Sequence, residues 1–220
     1  MTKRILHTFI LLALVQSIST GLQAATISSR GGAGNWSDTA HWTPAQIPTS
    51  TDSVIITSGN PITISGYNAN VKGLNIQSGA TLTYSNTTTY LLNIYGNLKV
   101  DGTLSNTVAY ATTIVFYGSG AHISGASTIT ASNNCEFAIY SSIFIDASTT
   151  INGKIWYALV GAVTVTNNGS VTATCGHLCL QFYSPGGGSW VQGTNSYFLL
   201  GEGATGTGTL DASASGNMVE

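Results

Sequence analysis

The sequence predicts an all-β protein, a right-handed parallel β-helix (β-solenoid) of about six coils behind an N-terminal cap. Three observations carry that expectation. An apolar–polar phrase returns about every 22 residues, short apolar runs are separated by Gly, Asn, Asp and Ser, and charge is scarce. The phrase reads Leu74-Asn75-Ile76-Gln77, Leu92-Asn93-Ile94-Tyr95, Ile114-Val115-Phe116-Tyr117 and Phe137-Ala138-Ile139-Tyr140. It continues loosely as Leu159-Val160-Gly161-Ala162 and returns as Leu180-Gln181-Phe182-Tyr183. The starts are separated by 18, 22, 23, 22 and 21 residues.

Only 6% of the 220 residues are Asp, Glu, Lys or Arg, whereas Ser and Thr number 56 and Gly 26. Stacked coils place equivalent positions directly above one another, so like charges would repel while Thr, Asn and Tyr columns attract. Six Lys and Arg in all exclude a nucleic-acid surface, which needs clustered cations to displace counterions. A coiled coil is excluded by the same shortage, and an apolar content of 43% argues against disorder.

Residues 1–25 read as an export signal. Lys3 and Arg4 form a basic start, Ile5 to about Ile18 an apolar stretch, and Gly21 to Ala25 a small-residue cleavage region. Cleavage is expected after Ala24 or Ala25. The apolar run is interrupted by His7, Gln16 and Ser17 and falls short of the roughly 20 residues of a membrane span. The mature chain is therefore expected to be secreted or held at the cell surface, with no membrane span. It would keep Arg30, Lys72, Lys99 and Lys154 against eight acids.

Residues 26–65 are expected to form the cap. Trp36 precedes one helical turn that Ser37 or Asp38 can cap and that carries Ala40, His41 and Trp42, and Asp52-Ser53-Val54-Ile55-Ile56 follows as an apolar strand. Such a lid suits the open edge of a first coil. Residues 66–220 are expected to carry the coils, with second and third short strands in each unit. Examples are Leu98-Lys99-Val100 with Thr103-Leu104, and Ile143-Phe144-Ile145 with Thr150-Ile151. No closing cap is legible before Glu220, so the C-terminal end is expected to be incomplete, and open solenoid ends invite self-association. Cys135, Cys175 and Cys179 are expected to be small buried residues rather than a disulfide or metal ligands.

The order Trp36, Trp42, Pro48, Asp52, Val54 and Ile56, followed by Leu74, Ile76, Gly96 and Leu98, resembles the start of large secreted bacterial β-helix surface proteins. It is also similar to the eight-glycine extracellular domain. The resemblance covers about residues 30–104. It implies an exported β-helix of adhesin-like or carbohydrate-active type.

Two sets of residues are candidates for function. Tyr95, Tyr117, Tyr140 and Tyr183 occupy one place in their phrases and would form a column of rings, with Gln77 before it and Ala162 in its gap. Such a column could pack against the C–H faces of an extracellular polysaccharide or cell-surface glycan, and it also stabilises stacking. Asp101 and Asp146 sit at similar turns with Ser124 between them, a spacing near that of an inverting glycosidase pair. Turn chemistry explains them more simply. The expected function is a structural or adhesion-type β-solenoid, and the alternative is a carbohydrate-active enzyme using the two aspartates. No cofactor and no metal site is expected.

Overall fold

The structure, a computed structural model, describes residues 24–85, 90–106, 112–174, 179–183, 187–200 and 204–220. The expected export signal lies outside the described residues except for Ala24 and Ala25.

The chain begins with β1 (Thr26–Ser29), β2 (Gly34–Asn35), a 3-10 turn (Thr39–His41) and β3 (Trp42–Thr43). Coils of three strands follow. The first holds β4 (Ser53–Ile56), β5 (Ile62–Ile64) and β6 (Ala69–Val71), the second β7 (Gly73–Ile76), β8 (Thr81–Tyr84) and β9 (Leu91–Ile94). The third holds β10 (Leu98–Val100), β11 (Thr103–Asn106) and β12 (Thr112–Phe116). In the fourth and fifth, a short strand leads to one long strand that serves two faces: β13 (Ala121–Ser124) with β14 (Thr128–Ile139), and β15 (Ile143–Ile145) with β16 (Thr150–Leu159). The sixth holds β17 (Thr164–Asn167), β18 (Ser170–Ala173) and β19 (Leu180–Phe182). Beyond it stack β20 (Ser189–Gln192), β21 (Tyr197–Leu200), β22 (Ala204–Thr205), β23 (Thr209–Asp211) and β24 (Met218–Val219). The protein is thus an all-β solenoid of about six full coils.

The strands of the coils pair in parallel with their equivalents one coil away, so three faces run along the stack. Face 1 runs from β1 through β4, β7, β10, β13, β15, β17 and β20 to β23. Face 2 contains β5, β8, β11, β18 and β21, and face 3 contains β6, β9, β12 and β19. The long strands bend from face 2 into face 3. Stacking begins inside the segment expected as cap, because β4 and β5 already continue into β7 and β8.

Alternation decides which side chains enter the core, since successive residues of a strand face opposite ways. In β4 Val54 and Ile56 are buried between exposed Ser53 and half-buried Ile55. Stacking then builds apolar columns. Ile27, Val54, Leu74, Leu98, Ile123 and Ile145 align on face 1. That column ends on buried amides: Asn167 Nδ2 donates to Gln192 Oε1 at 2.7 Å, which also accepts from Trp190 Nε1 at 3.0 Å. Internal rings form a second spine, with Phe137 5.4 Å from Tyr157 and Trp190 stacked 4.2 Å from Phe198.

The two tryptophans sit together at the N-terminal end of the core. Trp36 and Trp42 are fully buried and meet edge to face at 5.1 Å. Trp42 Nε1 donates to the Trp36 carbonyl at 2.9 Å. Asp38 caps the short turn through the Ala40 amide. β3 runs antiparallel to β1 and covers that edge of face 1.

Three expectations need correction. The first phrase belongs to another face: Leu74 pairs with Leu98 on face 1, and the partner of Leu92 is Ala69. The loose fifth phrase begins at Tyr157, which pairs with Phe137 and Leu180. Cys179 is disulfide-bonded rather than a free buried thiol, and Cys175 lies outside the described residues. Cys135 is free and buried as expected, and burial pushes its thiol up to about 12. The thiolate is the reactive form. Native protein is therefore expected to leave Cys135 unmodified by a thiol reagent at pH 8 and to react there only after unfolding. Stoichiometric labelling in the native state would contradict this burial.

Candidate functional site

Each tyrosine of the column follows an inward residue at the end of a face 3 strand, so it turns outward at the corner before face 1. Ladder bonds fix the alignment. Tyr95 N donates to Val71 O, Tyr117 N to Ile94 O, Tyr140 N to Phe116 O, Val160 N to Ile139 O and Tyr183 N to Leu159 O. The column therefore reads Lys72, Tyr95, Tyr117, Tyr140, Val160 and Tyr183. Lys72, not Gln77, precedes the rings, and Val160, not Ala162, fills the gap.

Tyr95 and Tyr117 stack with centroids 5.0 Å apart and planes 20° apart, and Tyr140 continues at 5.2 Å. Burial, then the neighbouring Tyr140 and Tyr95, raises the Tyr117 phenol above its usual value, so it stays a neutral hydrogen-bonding group. Tyr117, Tyr140 and Tyr183 are 39%, 47% and 59% exposed. Lys72 Nζ reaches the Tyr95 carbonyl at 3.4 Å at the head of the column.

The break at Val160 makes a slot. Tyr140 and Tyr183 flank a depression of about 290 Å³ over Ala138, Ala158 and Val160, with Glu136 beside it. Two coil spacings amount to roughly 9.6 Å. A flat guest between two rings needs about 7–8 Å, twice a favourable carbon–carbon contact. Thr113 Oγ1 donates to Glu136 Oε2 at 3.2 Å, and the Tyr183 hydroxyl donates to Gln181 Oε1, which leaves polar groups at the rim.

A second aromatic patch went unread in the sequence. Tyr67 and Tyr90 border an open depression with Asn68 and Asn70. Asn68 Oδ1 accepts the Leu91 amide, and Asn93 Nδ2 donates to Asn70 Oδ1 at 3.0 Å. The available signal was weak, since both tyrosines lie outside the recurring phrase. Face 1 holds a shallow groove of about 610 Å³ bordered by Ser53, Ile55, Lys72, Asn75, Asn97 and Lys99.

Asp101 and Asp146 are not brought into one column. Lys99 pairs with Ser124, and Ile123 with Ile145, so Lys99, Ser124 and Asp146 align while Asp101 lies two residues further along. Each carboxylate has its own partner. Asp101 lies 2.7 Å from Lys99 Nζ and accepts the Ala126 amide. The Lys99 hydrogen bond, then that amide, holds the Asp101 carboxyl below its usual range. Asp146 meets His122 Nδ1 at 2.7 Å, and the His122 ring stacks on Phe144 at 4.9 Å. No group of three His, Cys, Asp or Glu suited to a metal occurs among the described residues.

Comparison with known families places this architecture. The G8 domain family matches residues 41–155. The chain belongs to the G8 domain family. The G8 match contains Trp42, Pro48, Asp52, Val54 and Ile56 of the resemblance seen in the sequence. It begins after Trp36 and extends past residue 104 through β14 into β16. The G8 domain is of an extracellular type, in keeping with export. In this G8 domain, Tyr95, Tyr117 and Tyr140 lie inside the matched region, whereas Tyr183 lies beyond it. No curated protein and no solved structure matches the chain. No helix among the described residues is long and apolar enough to cross a membrane.

Proposed function

We propose that this G8-domain chain is a secreted or cell-surface, adhesion-type β-solenoid that holds glycan on its tyrosine column. The single observation that carries this reading is the outward stack of half-buried Tyr95 with exposed Tyr117 and Tyr140, continuing into the slot before Tyr183. Stacked rings add about 0.5–1.5 kcal/mol per pair to coil packing. Packing alone does not call for a slot with small residues on its floor. Sugar rings present C–H faces to aromatic planes and hydroxyls to rim groups, which matches tyrosine flanks beside Glu136 and Gln181. The scaffold supplies a rigid, repeated surface, as binding sites require.

A glycan-array screen of the secreted protein tests the proposal. Wild type is expected to retain a polysaccharide, and Tyr117→Ala and Tyr183→Ala each to weaken it about tenfold or more, the loss of 1.4 kcal/mol or more. Retention by neither wild type nor variants, or equal retention by all, would sink it. The alternative, a polysaccharide hydrolase or lyase using Asp101 and Asp146, predicts release of reducing ends from a polysaccharide panel. Activity that disappears in Asp146→Ala would favour the enzyme instead.

A further inference from the structure

Asp52 lies within the region matched by the G8 family, and its carboxylate is engaged by neighbouring backbone and hydroxyl donors. It is 2% exposed. Its Oδ2 accepts the Thr49 amide at 2.9 Å and the Thr49 hydroxyl at 2.6 Å. Its Oδ1 accepts one donor, the backbone amide of Ala25, at 2.8 Å. Burial would push this carboxyl up, but the Thr49 hydroxyl and the Ala25 and Thr49 amides outweigh it and hold it below the usual carboxylate range. Its hydrogen-bond partners among the described residues are neutral, so a cation beside Oδ1 would add a charge-assisted bond to a site that already favours the ionised carboxylate.

Ala25 is also the residue where the expected export signal meets the folded chain. Ala24 is exposed, Ala25 is half-buried and packs on the core, and the Ala25 carbonyl accepts the Ser53 amide at 2.8 Å. The two cleavage positions read from the sequence therefore have different consequences. Cutting after Ala25 would remove the donor that Asp52 Oδ1 has among the described residues, and the acceptor of the Ser53 amide. Cutting after Ala24 keeps both and turns the Ala25 amide into an ammonium beside the carboxylate.

We propose that the Ala24–Ala25 bond is the processing site of this chain and that Asp52 is the built receptor for the new N-terminal ammonium. In that step an export signal peptidase adds water across the bond. The water oxygen adds to the Ala24 carbonyl carbon, the C–N bond breaks, Ala24 leaves as a carboxylate, and both water protons end on the Ala25 nitrogen, which becomes an ammonium. The proposal rests on residues 1–24 being an export signal. Lys72, whose backbone amide donates to the Asp52 carbonyl at 2.7 Å, directs its ammonium to the Tyr95 carbonyl instead of the carboxylate.

The test is expression of the full chain in an exporting host, with intact mass and N-terminal sequencing of the secreted product. A start at Ala25 is expected. A start at Thr26 or any other residue overturns the assigned bond, and a chain that is never shortened overturns the export reading beneath it. The receptor role has its own readout, the titration of the Ala25 amine by NMR. In wild type it is expected above the ordinary α-amine range of about 7.7–8.0. In Asp52→Asn it is expected to fall back into that range, with Tm lower by about 5–10 °C. An amine that titrates alike in both proteins overturns the ion pair, even if Asp52→Asn lowers Tm. Should Asp52→Asn fail to fold, an ordinary amine pKa in wild type alone has the same force.

Discussion

Trp42→Ala is expected to destabilise the N-terminal end by about 3–5 kcal/mol, the usual loss for removing a fully buried large aromatic. The side chain fills the end of the core, meets Trp36 edge to face at 5.1 Å and satisfies the Trp36 carbonyl through Nε1. Alanine would leave a cavity and an orphaned buried acceptor together. The effect would spread, because β3 starts at Trp42 and is the antiparallel strand that covers β1. Without it, β1 becomes an open edge and the coil beneath loses its lid. At about 2–4 °C per kcal/mol for a chain of this size, Tm should fall by roughly 6–20 °C. Solenoids behave as linear arrays of coupled units, so the loss should begin locally. Hydrogen exchange is expected to speed up first over residues 26–56, before the middle coils respond. Trp42→Phe, which keeps a ring but loses the indole N–H, should fall between the two. Unchanged exchange in Trp42→Ala would mean that the cap does not hold the first coil.

Much of the fold was legible because a half-buried strand writes its inside and outside into alternate residues. Val54 and Ile56, Leu98 and Val100, and Ile143 and Ile145 all face the core as alternation demands. Alternation does not say which face a strand joins. Leu74-Asn75-Ile76 and Leu92-Asn93-Ile94 are the same phrase, but the first lies on face 1 and the second on face 3. Face is set by the turns and by pairing across coils, which are non-local. The same limit explains the tyrosine column. Its members were readable as rings placed just after an apolar pair. Its gap was not, since naming Val160 requires the register in which Tyr157 stands beside Phe137.

Asp101 and Asp146 show the opposite error, a local likeness that register separates. Both follow a short face 1 strand, so they looked equivalent. Hydrogen bonding sets Asp146 level with Ser124 and Lys99, and it gives each carboxylate a separate basic neighbour. Asp52 was visible as a motif residue, but its role was hidden because its partner Ala25 comes from the preceding coil position. The low charge keeps its sequence-level explanation. Outward columns consist largely of amides and hydroxyls, as in the Asn70–Asn93 bond between neighbouring coils.

Gly125→Ala is expected to cost about 2–6 kcal/mol, through one residue's backbone strain of roughly 1–3 kcal/mol and overpacking of similar size. Gly125 has φ +126°, and a β-carbon there would lie 2.1 Å from the Val100 carbonyl oxygen and 2.5 Å from its carbon. The obstacle is backbone of the adjacent coil, and that backbone also accepts the Ser127 amide at 3.1 Å, so it cannot turn aside. Gly120 separates the two contributions. It has φ +68° with open space around its β-carbon position, so Gly120→Ala carries backbone strain alone, about 1–2 kcal/mol. The stabilities of the two variants in chemical denaturation should therefore differ by about 1–3 kcal/mol, the overpacking contribution. Equal losses would show that coil spacing tolerates a methyl group and that turn conformation alone matters. The clash also reaches the proposed site. It pushes apart the coils ending at Tyr117 and Tyr140, whose rings now lie 5.2 Å apart, while leaving the Tyr95–Tyr117 step of 5.0 Å between other coils. If glycan is held by continuous ring spacing, Gly125→Ala weakens binding under conditions where the protein remains folded, and Gly120→Ala does not. Equal affinity in the two folded variants would place the binding energy elsewhere than across that step.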